Sequence, residues 1–164
     1  MNINATPRTR TPLNEWWEVT PGENFTVRAS VEDTGGFCTI IEMTVEPRNA
    51  VPVHTHANEE EHFIVLEGTF QMVNGNESVT LTPGDSVPVK RGTPHSWANL
   101  SDALVRVLII FTPGEMEETF RLIGFSDGGN LAEIAEMAKN GGSVMVGPPP
   151  FENVYSVMSP RPKF

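Results

Sequence analysis

The sequence predicts an all-β fold, a sandwich or barrel of short strands, with short helices after it. Between Asn24 and Thr112, six segments rich in β-branched and aromatic residues follow one another: ENFTVRASV, FCTIIEMTVEP, HFIVLEGTFQMV, SVTLTPG, SVPVK and ALVRVLIIFTP. Turn chemistry separates them at Gly35-Gly36, Asn74-Gly75 and Pro83-Gly84. Short strands at regular spacing suit a closed or double-layered β architecture. HFIVL and VRVLII lack the apolar–polar alternation of half-exposed strands, so those strands are expected to be covered on both faces.

Taken in order, residues 1–22 form a polar, proline-dotted N-terminal arm. Trp16 and Trp17 are too apolar for a free tail and are expected to pack on the body or on a neighbouring subunit. Residues 23–113 are the β domain. Residues 114–164 change character and are expected to pack on the same domain as helices and a tail. GEMEETFRLIGF has helical patterning. In GGNLAEIAEMAKNGG, Leu131, Ile134, Ala135 and Ala138 follow the i, i+3, i+4, i+7 spacing of one helix face. Asn130 and Glu133 can form a capping box at its start, and Gly141-Gly142 can end it. Met137 belongs to this helix's packing. The final stretch, GPPPFENVYSVMSPRPKF, is proline-stiffened and extended.

Composition limits the function classes. The chain has 164 residues, 38% hydrophobic and 20% charged, which suits one globular domain. Its formal net charge of −10 argues against nucleic acid and against anionic membrane surfaces. No apolar run reaches membrane-spanning length, and MNINATPRTR lacks the apolar stretch of a secretory signal, so a cytoplasmic protein is expected. A single cysteine, Cys38, excludes an internal disulfide framework, and its apolar neighbours suggest a packed thiol.

The chemistry concentrates in PVHTHANEEEHFIVLEG, residues 52–68, which holds three of the four histidines. On a strand, residues i and i+2 face the same side, so His54 and His56 present both imidazoles together. Imidazole and carboxylate are ligands for transition metals, and Glu59, Glu60 or Glu61 can supply the carboxylate. His95, in GTPHSWAN, completes the set if the fold brings it near.

This stretch resembles the first motif of the cupin superfamily, G-x5-H-x-H-x(3,4)-E-x6-G, through His54, His56, Glu61 and Gly68. The second motif, G-x5-P-x-G-x2-H-x3-N, is matched by Gly84, Gly92, His95 and Asn99. Arg48 replaces the leading glycine of the first motif and Lys90 the proline of the second. Both are positions that shape turns or strand entry. The resemblance covers roughly residues 24–113. It implies a cupin β-barrel, a double-stranded β-helix or jelly roll, of the small single-barrel kind. It also implies one divalent transition metal (Fe, Mn, Ni, Cu or Zn) held by His54, His56, Glu61 and His95. Glu61 is chosen over Glu60 because it stands six residues before Gly68. Glu59 and Glu60 are then expected as a solvated acidic rim, and His62 as structural or exposed.

From Glu61 and His95, alternation puts Phe63, Val65, Trp97 and Asn99 on the inner face. Met43, Phe70 and Met72 are further candidates for a pocket wall. The expected substrate-binding set is Met43, Phe63, Met72, Trp97 and Asn99, an apolar, aromatic wall suited to a small molecule with oxygen donors. Arg28 and Arg106 would oppose that reading if they pointed inward. The resemblance further implies an oxidoreductase, a quercetinase-like dioxygenase acting on a phenolic or diketone-type molecule, with Glu61 also able to take a substrate proton. The alternatives are a non-redox isomerase, epimerase or lyase, or a binding module without catalysis. Small cupins are commonly homodimers, and the same is expected here.

Overall fold

A computed structural model describes residues 12–124 and 131–162 of the chain. The strands are β1 (Trp16–Thr20), β2 (Glu23–Ala29), β3 (Thr39–Val45), β4 (Asn49–Ala50), β5 (Val53–His56), β6 (Glu60–Glu67), β7 (Phe70–Asn74), β8 (Glu77–Leu81), β9 (Ser86–Val89), β10 (His95–Asn99) and β11 (Val105–Thr112). Helices α1 (Met116–Gly124) and α2 (Leu131–Asn140) follow, and then β12 (Ser143–Gly147). The strands build two antiparallel sheets, ordered β1-β2-β3-β11-β6-β9 and β12-β5-β10-β7-β8, with β4 paired to β10. This is the jelly-roll arrangement of the all-β expectation.

Alternation decides which residues the sheets enclose. Ile41, Met43 and Val45 on β3, Phe63 and Val65 on β6, and Val105, Val107, Ile109 and Phe111 on β11 are all buried between the layers. Intervening residues face out or meet neighbouring elements. Arg28 and Arg106 point away from the core and both ion-pair with Glu42, at 2.8 and 2.6 Å. The condition under which they would have opposed an apolar pocket is therefore not met.

The chain ends do more than the sequence suggested. The segment read as an arm supplies β1, which pairs with β2; Trp17 packs against the core while Trp16 stays 45% exposed. Between the second helix and the proline-stiffened tail the chain forms β12, which pairs antiparallel with β5. Helix α2 buries Ile134 and Ala138, with Leu131 and Ala135 half-buried, which is the face read from the spacing. Asn130, its expected cap, lies outside the described residues. No helix among the described residues is long and apolar enough to cross a membrane.

Candidate metal centre

The site starts from a register. Strands β5 and β10 are forty residues apart in sequence but neighbours in the sheet, with His95 directly opposite His54. The short strand β5 then carries His56 onto the same inner face. Glu61 comes from the other sheet, on β6, flanked by Val89 and Phe111 of the adjacent strands. One ligand atom from each of His54, His56, Glu61 and His95 lies within 4.8 Å of the other three, and all four residues are buried. Glu61 Oε2 stands 2.6 Å from His95 Nε2 and 3.4 Å from His56 Nε2. His62, one residue on, faces solvent as its parity requires.

Two imidazoles are oriented by backbone. Nδ1 of His54 lies 2.9 Å from the carbonyl of Pro52, and Nδ1 of His95 lies 2.9 Å from the carbonyl of Thr93. A carbonyl only accepts, so each Nδ1 carries a proton, and each Nε2 is left as the nitrogen that can face the centre of the cluster. The remaining polar atoms are orphaned. Both ring nitrogens of His56, both oxygens of Glu61 and Nε2 of His95 are buried without a hydrogen-bond partner. Each such orphan costs about 1–3 kcal/mol if nothing satisfies it. Three imidazoles and one carboxylate converging on one point are the donor chemistry of a divalent transition metal, and a cation there would satisfy one nitrogen of each imidazole together with the carboxylate.

Protonation fits the same use. Burial, with the neighbouring imidazoles, drives His54 down to about 3, and burial also lowers His56. Both are therefore neutral ligands at neutral pH. Burial would lower His95 too, but the Glu61 carboxylate beside it outweighs that and raises it. Burial pushes Glu61 up, yet the surrounding imidazoles prevail and hold it at about 2, an ionised carboxylate.

Beside the imidazoles of His54 and His56 lies a cavity of about 70 Å³. Its wall is almost wholly apolar. Phe25, Val51 and Trp97 come from the sheets, Met116, Phe120 and Ile123 from α1, Ile134 and Ala138 from α2, and Met145 from β12. No lysine or arginine lines it.

Of the five residues expected to line a pocket, Trp97 does so. Met43, Phe63 and Met72 face inward but fill the packed core, where Phe63 and Trp97 meet with ring centroids 5.3 Å apart. They do not line this cavity. Asn99 does not either. Its amide donates to the carbonyls of Val45 and Ala103, and its Oδ1 accepts from Ser101, so it anchors the turn after β10. Glu59 also departs from expectation. It is buried rather than part of a solvated rim, and it lines a separate polar pocket with Glu115 and Glu118; Glu60 is exposed. Glu23 was not singled out from the sequence, yet it is buried and lines the apolar cavity. Alternation back from Val27 and Phe25 was the signal that could have found it.

Comparison with known proteins agrees with this geometry. The family model of the cupin domain matches residues 41–111, which hold all four clustered residues. Residues 41–111 are thus a cupin domain. Over 99 residues it is 27% identical to quercetin 2,3-dioxygenase of Bacillus subtilis (strain 168), a match covering 60% of this chain and 29% of that one. This cupin thus corresponds to less than a third of that relative's length. Among solved structures it resembles KdgF from Halomonas sp., with a TM-score of 0.57 and 21% identity, over 63% of this chain and 92% of that one. It also resembles a predicted oxalate decarboxylase from Thermotoga maritima, with a TM-score of 0.56 and 18% identity, over 64% and 99% of the two chains. At these identities the structures speak for the fold.

Proposed function

We propose that this cupin is a metal-dependent oxidoreductase, a dioxygenase of the quercetinase kind acting on a small phenolic or diketone-type molecule. The observation that carries the proposal is the buried three-histidine, one-carboxylate cluster opening onto an apolar cavity that no lysine or arginine among the described residues lines. The partial likeness to a quercetin dioxygenase supports it. His54, His56, Glu61 and His95 would hold the ion. When bound, a first-row divalent ion supplies Lewis acidity and, where it is redox-active, electrons for oxygen chemistry.

The chain's own residues do the rest. The Pro52 and Thr93 carbonyls fix the imidazoles of His54 and His95. The walls from α1, α2 and β12 keep water from the reacting atoms. Glu61, ionised but made weakly basic by its imidazole neighbours, is suited to take a proton only from an acidic enol or phenol. A non-redox enzyme for an anionic metabolite would gain from a lysine or arginine at the cavity beside the metal, and Arg28 and Arg106 are engaged by Glu42 outside it.

The test is oxygen uptake by protein loaded separately with Fe, Mn, Ni, Cu and Zn, against panels of phenols and diketones. Substrate-dependent uptake with a redox-active metal is expected. Turnover that persists under strict exclusion of oxygen would replace this reading with a non-redox one, and tight binding without turnover would leave a binding module.

A further inference from the structure

We propose that Glu23 is the polar anchor of the cavity, its carboxyl group bonding a hydroxyl of a neutral, mostly apolar ligand. This rests on the reading of the cavity as the substrate's site. Glu23 opens β2 and is only 3% exposed. Thr20 donates its hydroxyl proton to one carboxyl oxygen, and the Trp97 indole donates to the other at 3.2 Å. Each oxygen keeps a further lone pair for another partner. The Trp97 ring in turn packs edge-on against His54, with centroids 5.2 Å apart, so Glu23 is joined to the metal cluster through one aromatic ring.

A buried carboxyl group with no cation beside it is costly, and packing alone gives no reason to keep one on an apolar wall. Among the described residues, Glu23 is the only Asp or Glu lining the cavity. An anionic ligand would therefore meet an acid with no lysine or arginine beside it, whereas a hydroxyl would find a partner. Burial raises Glu23 to about 7, against the weaker opposing effect of its two hydrogen bonds. The titratable groups sharing the cavity wall are the imidazoles of His54 and His56 from β5; α1 and α2 present apolar side chains and the Thr119 hydroxyl. Near neutrality the group passes from donor to acceptor, and either form can hold a hydroxyl.

The experiment is a fluorine NMR titration of the zinc-loaded protein, zinc being redox-silent, with 4-fluorophenol and fluorobenzene at pH 6 and pH 8. The wild type is expected to bind the phenol at least about tenfold tighter than fluorobenzene, with a preference that changes between the two pH values. Glu23→Gln keeps an acceptor for Trp97 and should retain its zinc. It is expected to reduce the preference at least about fivefold and to remove its pH dependence; Glu23→Leu should abolish the preference. A merely structural Glu23 would leave the pH dependence in place. An unchanged preference in Glu23→Gln, or a wild type that binds neither probe or both alike, overturns the proposal. Turnover of phenols that ignores Glu23 would sink this inference alone. A Glu23-dependent preference with no turnover by any metal would sink the oxygenase reading alone.

Discussion

At the residue scale, the four ligand positions are distinguished by their protons. His54 and His56 are neutral at ordinary pH, whereas Glu61 holds the His95 proton in the metal-free cluster. A metal that takes the His95 lone pair must displace that proton. Titrating zinc into weakly buffered metal-free protein at pH 6 should therefore release about one proton per ion bound, read by a pH indicator. Binding with no release would show that the cation does not engage His95. Glu61→Gln keeps the shape and removes the charge. It should weaken metal binding by at least about 100-fold, as read by competition with a chelator. The cluster was largely legible in the sequence, because two spaced motifs name the same four positions. Asn99 was misread because motif membership says that a residue matters without saying that it faces a ligand; its amide is consumed by the turn that follows β10.

At the scale of elements, the site depends on strands meeting in the right register, and Gly68 guards one such meeting. It turns the chain from β6 into β7 at φ 85°, and a Cβ there would come within 2.8 Å of Val105 Cγ2 and 3.1 Å of the Leu104 carbonyl. Gly68→Ala combines backbone strain with a clash and should cost about 2 kcal/mol, checked by urea unfolding of the metal-free protein. A loss under about 0.5 kcal/mol would show that the turn yields. Strand alternation put Phe63 inward, Met43 and Met72 were further candidates for the wall, and all three are buried. It could not tell the packed layer of the barrel from the layer that borders the cavity, since both have the same parity. Strand β12 was illegible for a different reason. SVMVG becomes a strand by completing the open edge of β5, and no local pattern carries that information.

For the whole molecule, two carboxylates pull stability in opposite directions with pH. Burial acts to raise Glu42, but Arg106 and Arg28 outweigh it and lower the group. Its contribution is present above the ordinary carboxylate range and is lost as pH falls through its depressed folded value. Glu23 has the opposite sign. Its folded value of about 7 lies above the usual 4.5, so stability is full below 4.5 and declines as pH rises through 7. That interval corresponds to about 3 kcal/mol. Thermal unfolding of metal-free wild type should show this decline between pH 5 and 8, and Glu23→Gln should reduce it, the remainder coming from Glu59, which burial also raises to about 7. An equal decline in both would assign the cost elsewhere. A group that destabilises the fold at neutral pH and lines the cavity is consistent with selection for binding rather than for packing. The acidic net charge was read as bearing on partners and solubility, and nothing in the fold gives it another role.

The account turns on whether four side chains from two sheets hold one cation. Elemental analysis of the purified protein, beside a variant with His54 and His56 both changed to alanine, tests that most directly. We predict close to one first-row transition metal per wild-type chain and essentially none in the folded double variant. A wild type that takes up no metal when supplied with each candidate ion, or a variant that binds as much as the wild type, would contradict it.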